Sequence, residues 1–198
     1  MKEIKKYYKN GKLQERYYEL DGNIHGEYKG WYPNGRLEYH SHYVNGVLHG
    51  EYKWYYLNNS QLGVHTHFVN GKRHGECKEW HVNGLLYQHK HYQDGKLHGE
   101  YIRCDEYGVL FIEKYYVNDV RQGEYRRWHA NGQLAARACY VNDVVHGELK
   151  EWDEKGNLVR HTFWVHGEEV TADIDQLVAD IRNISQEERT FIKLAVGI

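Results

Sequence analysis

The sequence predicts an all-β repeat protein: an elongated, single-layer antiparallel meander of about seven β-hairpin units, closed by a short C-terminal helical cap. Three observations predict it. Glycines return on a beat of 24 residues, Asn-Gly pairs fall between alternating runs, and the chain is rich in the residues of strands and tight turns. Its 198 residues include 19 tyrosines, 20 glycines and 15 histidines against a single proline, Pro33. Aromatic rings fit a pleated, half-buried surface, and glycine supplies positive φ.

The beat is set by Gly26, Gly50, Gly75, Gly99, Gly123 and Gly147, at gaps of 24, 25, 24, 24 and 24. A second series runs through Gly11, Gly35, Gly84, Gly108, Gly132 and Gly156, with Asn59-Ser60 in the missing place. A third runs Gly22, Gly46, Gly71, Gly95, Asp119, Asp143 and Gly167. Self-similarity at a fixed period marks a repeat architecture. Residues 1–170 therefore form one array, cut into repeats 2–25, 26–49, 50–74, 75–98, 99–122, 123–146 and 147–170. Each reads as a short strand ("GEYKGWY"), a turn, a longer strand ("RLEYHSHYV"), a second turn and a link ending in His-Gly. Asn-Gly between alternating runs is a strong hairpin signal, because both residues tolerate the positive φ of a type I′ turn. Seven hairpins give about fourteen strands, each hairpin advancing the sheet by roughly 10 Å.

Two-residue turns would put Tyr28, Tyr52, Tyr101 and Tyr125 on one face. Leu13, Leu37, Leu62, Leu86, Leu110, Leu134 and Leu158 would join them, with Tyr43, Phe68, Tyr92, Tyr116, Tyr140 and Trp164, as the core stripe. The other face would take Glu27, Glu51, Glu76, Glu100, Glu124 and Glu148, and the row Trp31, Tyr55, Trp80, Trp128 and Trp152. A three-residue first turn with a bulge would move that row onto the leucine side. Both geometries fit the sequence.

The repeat stops at Val170, where the next His-Gly is due. Over 171–198 the apolar period changes from 2 to 3.6, with Ile174, Leu177, Val178 and Ile181 on one helical face and Asp173 as N-cap. A second helix is expected from Ser185, with Glu188 completing a capping box. The pair reads as a two-helix cap over the last strand edge, or as a docking element.

Charge and motifs exclude several function classes. A formal net charge of −2 offers no general field for nucleic acid. Lys2, Lys5, Lys6, Lys9 and Lys12 form a basic opening that reads as a solvated face. There is no signal-peptide pattern and no apolar run approaching the roughly 20 residues that span a bilayer, so an intracellular, cytoplasmic protein is expected. Cys77, Cys104 and Cys139 lack CxxC spacing and read as buried small hydrophobes rather than nucleophiles.

His25, His49, His74, His98 and His146 precede the glycine of each repeat, but Gln122 fills the sixth place and cannot act as a general base. This column reads as architecture. His40/His42, His65/His67 and His89/His91 form His-x-His pairs in three consecutive repeats. Imidazole suits zinc or copper, yet two ligands do not close a tetrahedral site, so no metal is expected there. No nucleophile elbow, phosphate-binding loop or dinucleotide fingerprint occurs. No catalytic residue, cofactor or small-molecule substrate is expected.

The combination of His-Gly, a glycine nine residues on ("HGEYKGWYPNG"), aromatic-rich sequence and a further Asn-Gly resembles the MORN repeat. It is most similar to the variant class of bacterial antitoxin-like proteins and giant DNA virus proteins. The resemblance covers about 2–170. It departs from the standard unit where a second glycine is replaced by Tyr28, Tyr52, Cys77, Tyr101, Tyr125 and Leu149. It implies a single-layer sheet of hairpins and a scaffolding, dimerising or membrane-associating role, including that of a viral structural or accessory protein located in the virion.

The expected function is a non-enzymatic scaffold for protein–protein contact or self-association. Its expected contact surface is Trp31, Tyr55, Trp80, Trp128 and Trp152 with His42, His67 and His91, since aromatic residues dominate interface hot spots. Anionic lipid is the alternative ligand and antitoxin-like capture of a partner the second.

Overall fold

The computed structural model describes residues 1–170, all of it strand and turn. The helical cap expected over 171–198 lies outside the described residues. The chain divides into two compact bodies: Met1–Lys96 with Glu106–Gly108, and Leu97–Asp105 with Val109 onward.

The first body contains β1 (Lys2–Tyr7), β2 (Leu13–Leu20), β3 (Asn23–Trp31), β4 (Leu37–Val44), β5 (Val47–Tyr55), β6 (Leu62–Val69), β7 (Lys72–Trp80) and β8 (Leu86–Gln93). Each strand from β1 to β7 pairs antiparallel with the next. The second body contains β9 (Lys96–Cys104), β10 (Leu110–Val117), β11 (Val120–Trp128), β12 (Leu134–Val141), β13 (Val144–Val145), β14 (Gly147–Trp152), β15 (Leu158–Val165) and β16 (Glu168–Val170). It is likewise an antiparallel meander, with β13 and β14 both pairing with β12. The described residues thus hold sixteen strands rather than about fourteen. One of the extra two arises because His146 interrupts a single strand, separating β13 from β14, and the other because β16 follows the seventh hairpin.

Two kinds of turn alternate. The Asn-Gly turns are type I′, as at Asn45-Gly46, where φ is 50° and 81°. In the second body Asp119 and Asp143 take the glycine's place at φ 72° and 67°. Their carboxylates compensate by accepting from the backbone N–H groups of Leu97 at 2.7 Å and Arg121 at 2.9 Å.

The other turns have three residues, except that between Tyr56 and Gln61, which has four. Tyr32 N–H donates to the Arg36 carbonyl and Gly35 N–H to the Tyr32 carbonyl, each at 2.8 Å, with Gly35 at positive φ. Next along the hairpin, Trp31 pairs with Leu37 and Gly30 with Tyr39, leaving Glu38 without an opposite number. The bulged alternative is the one adopted. Trp31, Tyr55, Trp80, Trp128 and Trp152 stand directly opposite Leu37, Leu62, Leu86, Leu134 and Leu158. Beyond the bulge the register returns to that of a two-residue turn, so Glu27 faces His42.

His-Gly is a bulge too. Between Tyr17↔Tyr28 and Glu19↔Ile24, the three residues His25, Gly26 and Glu27 oppose Tyr18 alone. Gly26 sits there at φ 86°, a conformation that disfavours any side chain with a Cβ. The strand runs on through the repeat boundary instead of ending at it.

Among the described residues no second layer covers either face, and the centre of each body is thin. Tyr17, Tyr28 and Tyr39 stack in the first body, with ring centroids 4.9 and 5.6 Å apart. Among the described residues the largest fully buried side chains are His146, Thr66, Cys77 and Ser41, none a large hydrophobe. The leucine row is half-buried at best and Leu158 is half exposed, so the expected core stripe is a surface band here. A single layer offers the leucines only their cross-strand neighbours to pack on.

Candidate functional site

One face carries a recurring polar cluster built around the glutamate that follows His-Gly. Glu27 accepts from Arg16 at 2.7 Å and lies 3.1 Å from His40 Nε2, with Lys29 also on it. Glu51 takes Lys53 at 2.7 Å and His65 at 2.9 Å. Glu76 takes Lys78 at 2.8 Å on Oε2, while Oε1 lies 3.6 Å from His89 Nε2 and 3.8 Å from His91 Nε2. In the second body Glu124 is held by Arg126 and Arg137, and Glu148 by Lys150 and His161.

These partners set the protonation of the cluster. Bonding by Lys53 and by Lys78 holds Glu51 and Glu76 below the ordinary carboxylate value. Burial pushes Glu27 and Glu148 up, but bonds from Lys29 and Arg16, and from Lys150 and His161, outweigh it and leave both lowered. Burial, and then the Lys29 charge, push the His40 imidazole down despite Glu27 beside it.

The second band lies nearer the three-residue turns, four residues along the strand from the glutamates, or about 13 Å. Here the Trp/Tyr row meets the leucines. The structure therefore brings His42, His67 and His91 opposite Glu27, Glu51 and Glu76, and leaves Trp31, Tyr55, Trp80, Trp128 and Trp152 in a separate strip. All five are half-buried. The carbonyls of Trp31, Tyr55 and Trp80 accept from the hydroxyls of Tyr8, Tyr32 and Tyr56 at 2.6, 2.7 and 2.8 Å, and His129 Nε2 donates to Trp152 at 2.8 Å. Each of these bonds joins one repeat to the next. Sequence reasoning missed both this ladder and the glutamate in the histidine cluster, although the signal was present: Tyr8, Tyr32 and Tyr56 recur on the beat, and Glu51 meets His67 once strands are paired.

The His-Gly histidines fasten turns. His25 Nδ1 is 3.2 Å from Asn45 Oδ1, and His146 Nδ1 accepts from His166 N–H at 3.2 Å. Gln122 fills the same role, its Oε1 accepting from Asn142 N–H at 3.2 Å. An amide replaces the imidazole without loss of the contact, as a structural fastener allows and a proton-transfer group does not.

Cys77, Cys104 and Cys139 are buried free thiols, each pushed up by burial, Cys139 to about 11. A thiol held protonated in this way is a poor nucleophile. At the N-terminal strand Lys5 pairs with Glu3 and Lys6 with Glu15, which offsets part of the basic run. Among the described residues no helix is long and apolar enough to cross a membrane.

A sheet of hairpins on a 24-residue period, fastened repeat to repeat through turn side chains, defines an open β-repeat protein. The family model described as "MORN repeat variant" matches residues 2–20, 24–45, 48–60 and 121–142, and these segments are MORN-type repeats. No curated protein matches the chain.

Proposed function

We propose that the array is a non-enzymatic scaffold that binds a protein, either a heterologous partner or a further copy of the chain. The supporting observation is that both bodies carry half-buried tryptophans opposite leucines next to the hairpin turns, and the first repeats a Glu-His cluster hairpin after hairpin, on faces that no second layer covers among the described residues. Half-buried tryptophans spaced at roughly 10 Å present rigid anchors, the kind of group that carries interface energy. The inert thiols and the charge-paired glutamates fit a binding role better than catalysis.

The test replaces Trp31, Trp80, Trp128 and Trp152 together by leucine, with the urea midpoint as a folding control. Light scattering and co-purification are then compared with the unaltered chain. Loss of the oligomer or of a stoichiometric partner, with folding retained, supports the scaffold reading. Unchanged complexes, or a monomer that retains no partner in either form, count against it.

A further inference from the structure

We propose that Glu76, His89 and His91 form a zinc-type divalent metal site on the polar face of β7–β8, with a water in the fourth position. Three ligands exist where the sequence offered two, because the hairpin register sets Glu76 directly opposite His91 and His89 lies two residues along on the same face. The imidazole rings are 4.7 Å apart at 51° to one another.

The spacing of the donor atoms carries the argument. His89 Nε2 and His91 Nε2 lie 3.6 and 3.8 Å from the same oxygen, Glu76 Oε1, and all three donor atoms fall within 4.8 Å of one another. Both separations exceed the 2.7–3.2 Å of an N–H···O hydrogen bond. Ligands held at about 2.0–2.2 Å around a tetrahedral zinc stand about 3.3–3.5 Å apart, so small side-chain rotations close the site. Two imidazoles and one carboxylate are a donor set that zinc accepts, and a fourth position left to water is usual for three-ligand sites.

The Lys78 ammonium is the opposing group. It sits on Glu76 Oε2, at 2.8 Å, and leaves Oε1 toward the histidines. Its charge repels an incoming cation, so its removal should tighten binding. Glu51, His65 and His67 repeat the triad one hairpin earlier, also within 4.8 Å. There Lys53 and His65 both engage Glu51 Oε1, at 2.7 and 2.9 Å, and those bonds must be given up first. Glu51–His65–His67 is thus a second triad of the same donor set, and Glu76–His89–His91 is the one whose two imidazoles face a single carboxylate oxygen.

The test uses the full chain without a histidine tag, stripped with chelator, and titrated with zinc chloride by calorimetry. Two-dimensional NMR of the histidine ring nitrogens follows the same titration, and cobalt absorption reports coordination geometry. Saturable binding in which the His89 and His91 signals move supports the site. So does loss of that binding step in His89→Ala/His91→Ala, its retention in His49→Gln, and an affinity at least about tenfold tighter in Lys78→Gln. Zinc binding unchanged in the double variant, ring shifts confined to other histidines, or no saturation by about 1 mM would overturn it. The NMR readout needs no variant, so a misfolded double mutant does not protect the idea.

Discussion

The two bodies use one hairpin frame and fill it with different chemistry. In the first, the polar face holds His-x-His pairs beside glutamate, the centre is a tyrosine stack with Ser41 and Thr66, and the tight turns end in glycine. In the second, arginines replace histidines around Glu124, the centre is Ala135, Ala136, Ala138 and Cys139, and two turns end in aspartate. What stays constant is the turn geometry, the His-Gly bulge and the fasteners between repeats. The frame is thus specified by backbone-directed residues, which leaves the faces free to vary.

The sharpest way to break that contrast lies at one place in the repeat, Gly63 in the first body and Ala135 in the second, each the bulged residue after its leucine. A Cβ on Gly63 would lie 2.4 Å from the Trp54 ring and 3.1 Å from Tyr56, whereas Arg127 occupies the place of Trp54 in the second body. Gly63→Ala should destabilise by about 1–3 kcal/mol through overpacking. Ala135→Gly should cost only about 0.5–1 kcal/mol through chain entropy, and urea unfolding reads both.

The fasteners should respond alike in both bodies. His49 Nδ1 faces Asn70 N–H, and Gln122 Oε1 faces Asn142 N–H. Alanine at either site should cost about 1 kcal/mol. The exchanges His49→Gln and Gln122→His should fall within about 0.5 kcal/mol of the parent, since each residue can supply an acceptor. If His49→Gln costs as much as His49→Ala, the two residues are not equivalent fasteners.

The smallest and most distributed effect is that of acid. His40 is pushed below its ordinary 6.5, so the unfolded chain takes up that proton first and stability falls as pH drops through about 6.5. Glu27, Glu51, Glu76 and Glu148 are lowered from 4.5, so their contribution is complete above that value and is lost as pH falls below it. Only Glu148 of these five lies in the second body. Residue-resolved hydrogen exchange from pH 7 to 4 should therefore show the first body loosening sooner, and equal loosening in both would remove this distinction.

Much of the fold was legible because turns obey local rules. Asn45-Gly46 and its relatives announce a type I′ hairpin from two residues, and their spacing gives the meander. Which residues share a side with the tryptophan row was not legible, because one unpaired residue such as Glu38 brings the leucines onto it, and Gln14, Glu38, Gly63, Tyr87 and Phe111 share no chemistry that marks a bulge. The Glu76–His89–His91 cluster stayed hidden for a related reason. Its members lie up to 15 positions apart and meet only once the strands are paired.

The tyrosine and asparagine bonds between repeats also have a direction. Tyr8, Tyr32 and Tyr56, like Asn10, Asn59, Asn83 and Asn131, each donate to a carbonyl 23 or 24 residues ahead. A gene segment encoding a whole period can be duplicated or excised with every donor still finding an acceptor, whereas an insertion of a few residues strands the donors on both sides of it. Length in such a chain is inherited in steps of about 24 residues, and new copies arrive already fitted to their neighbours.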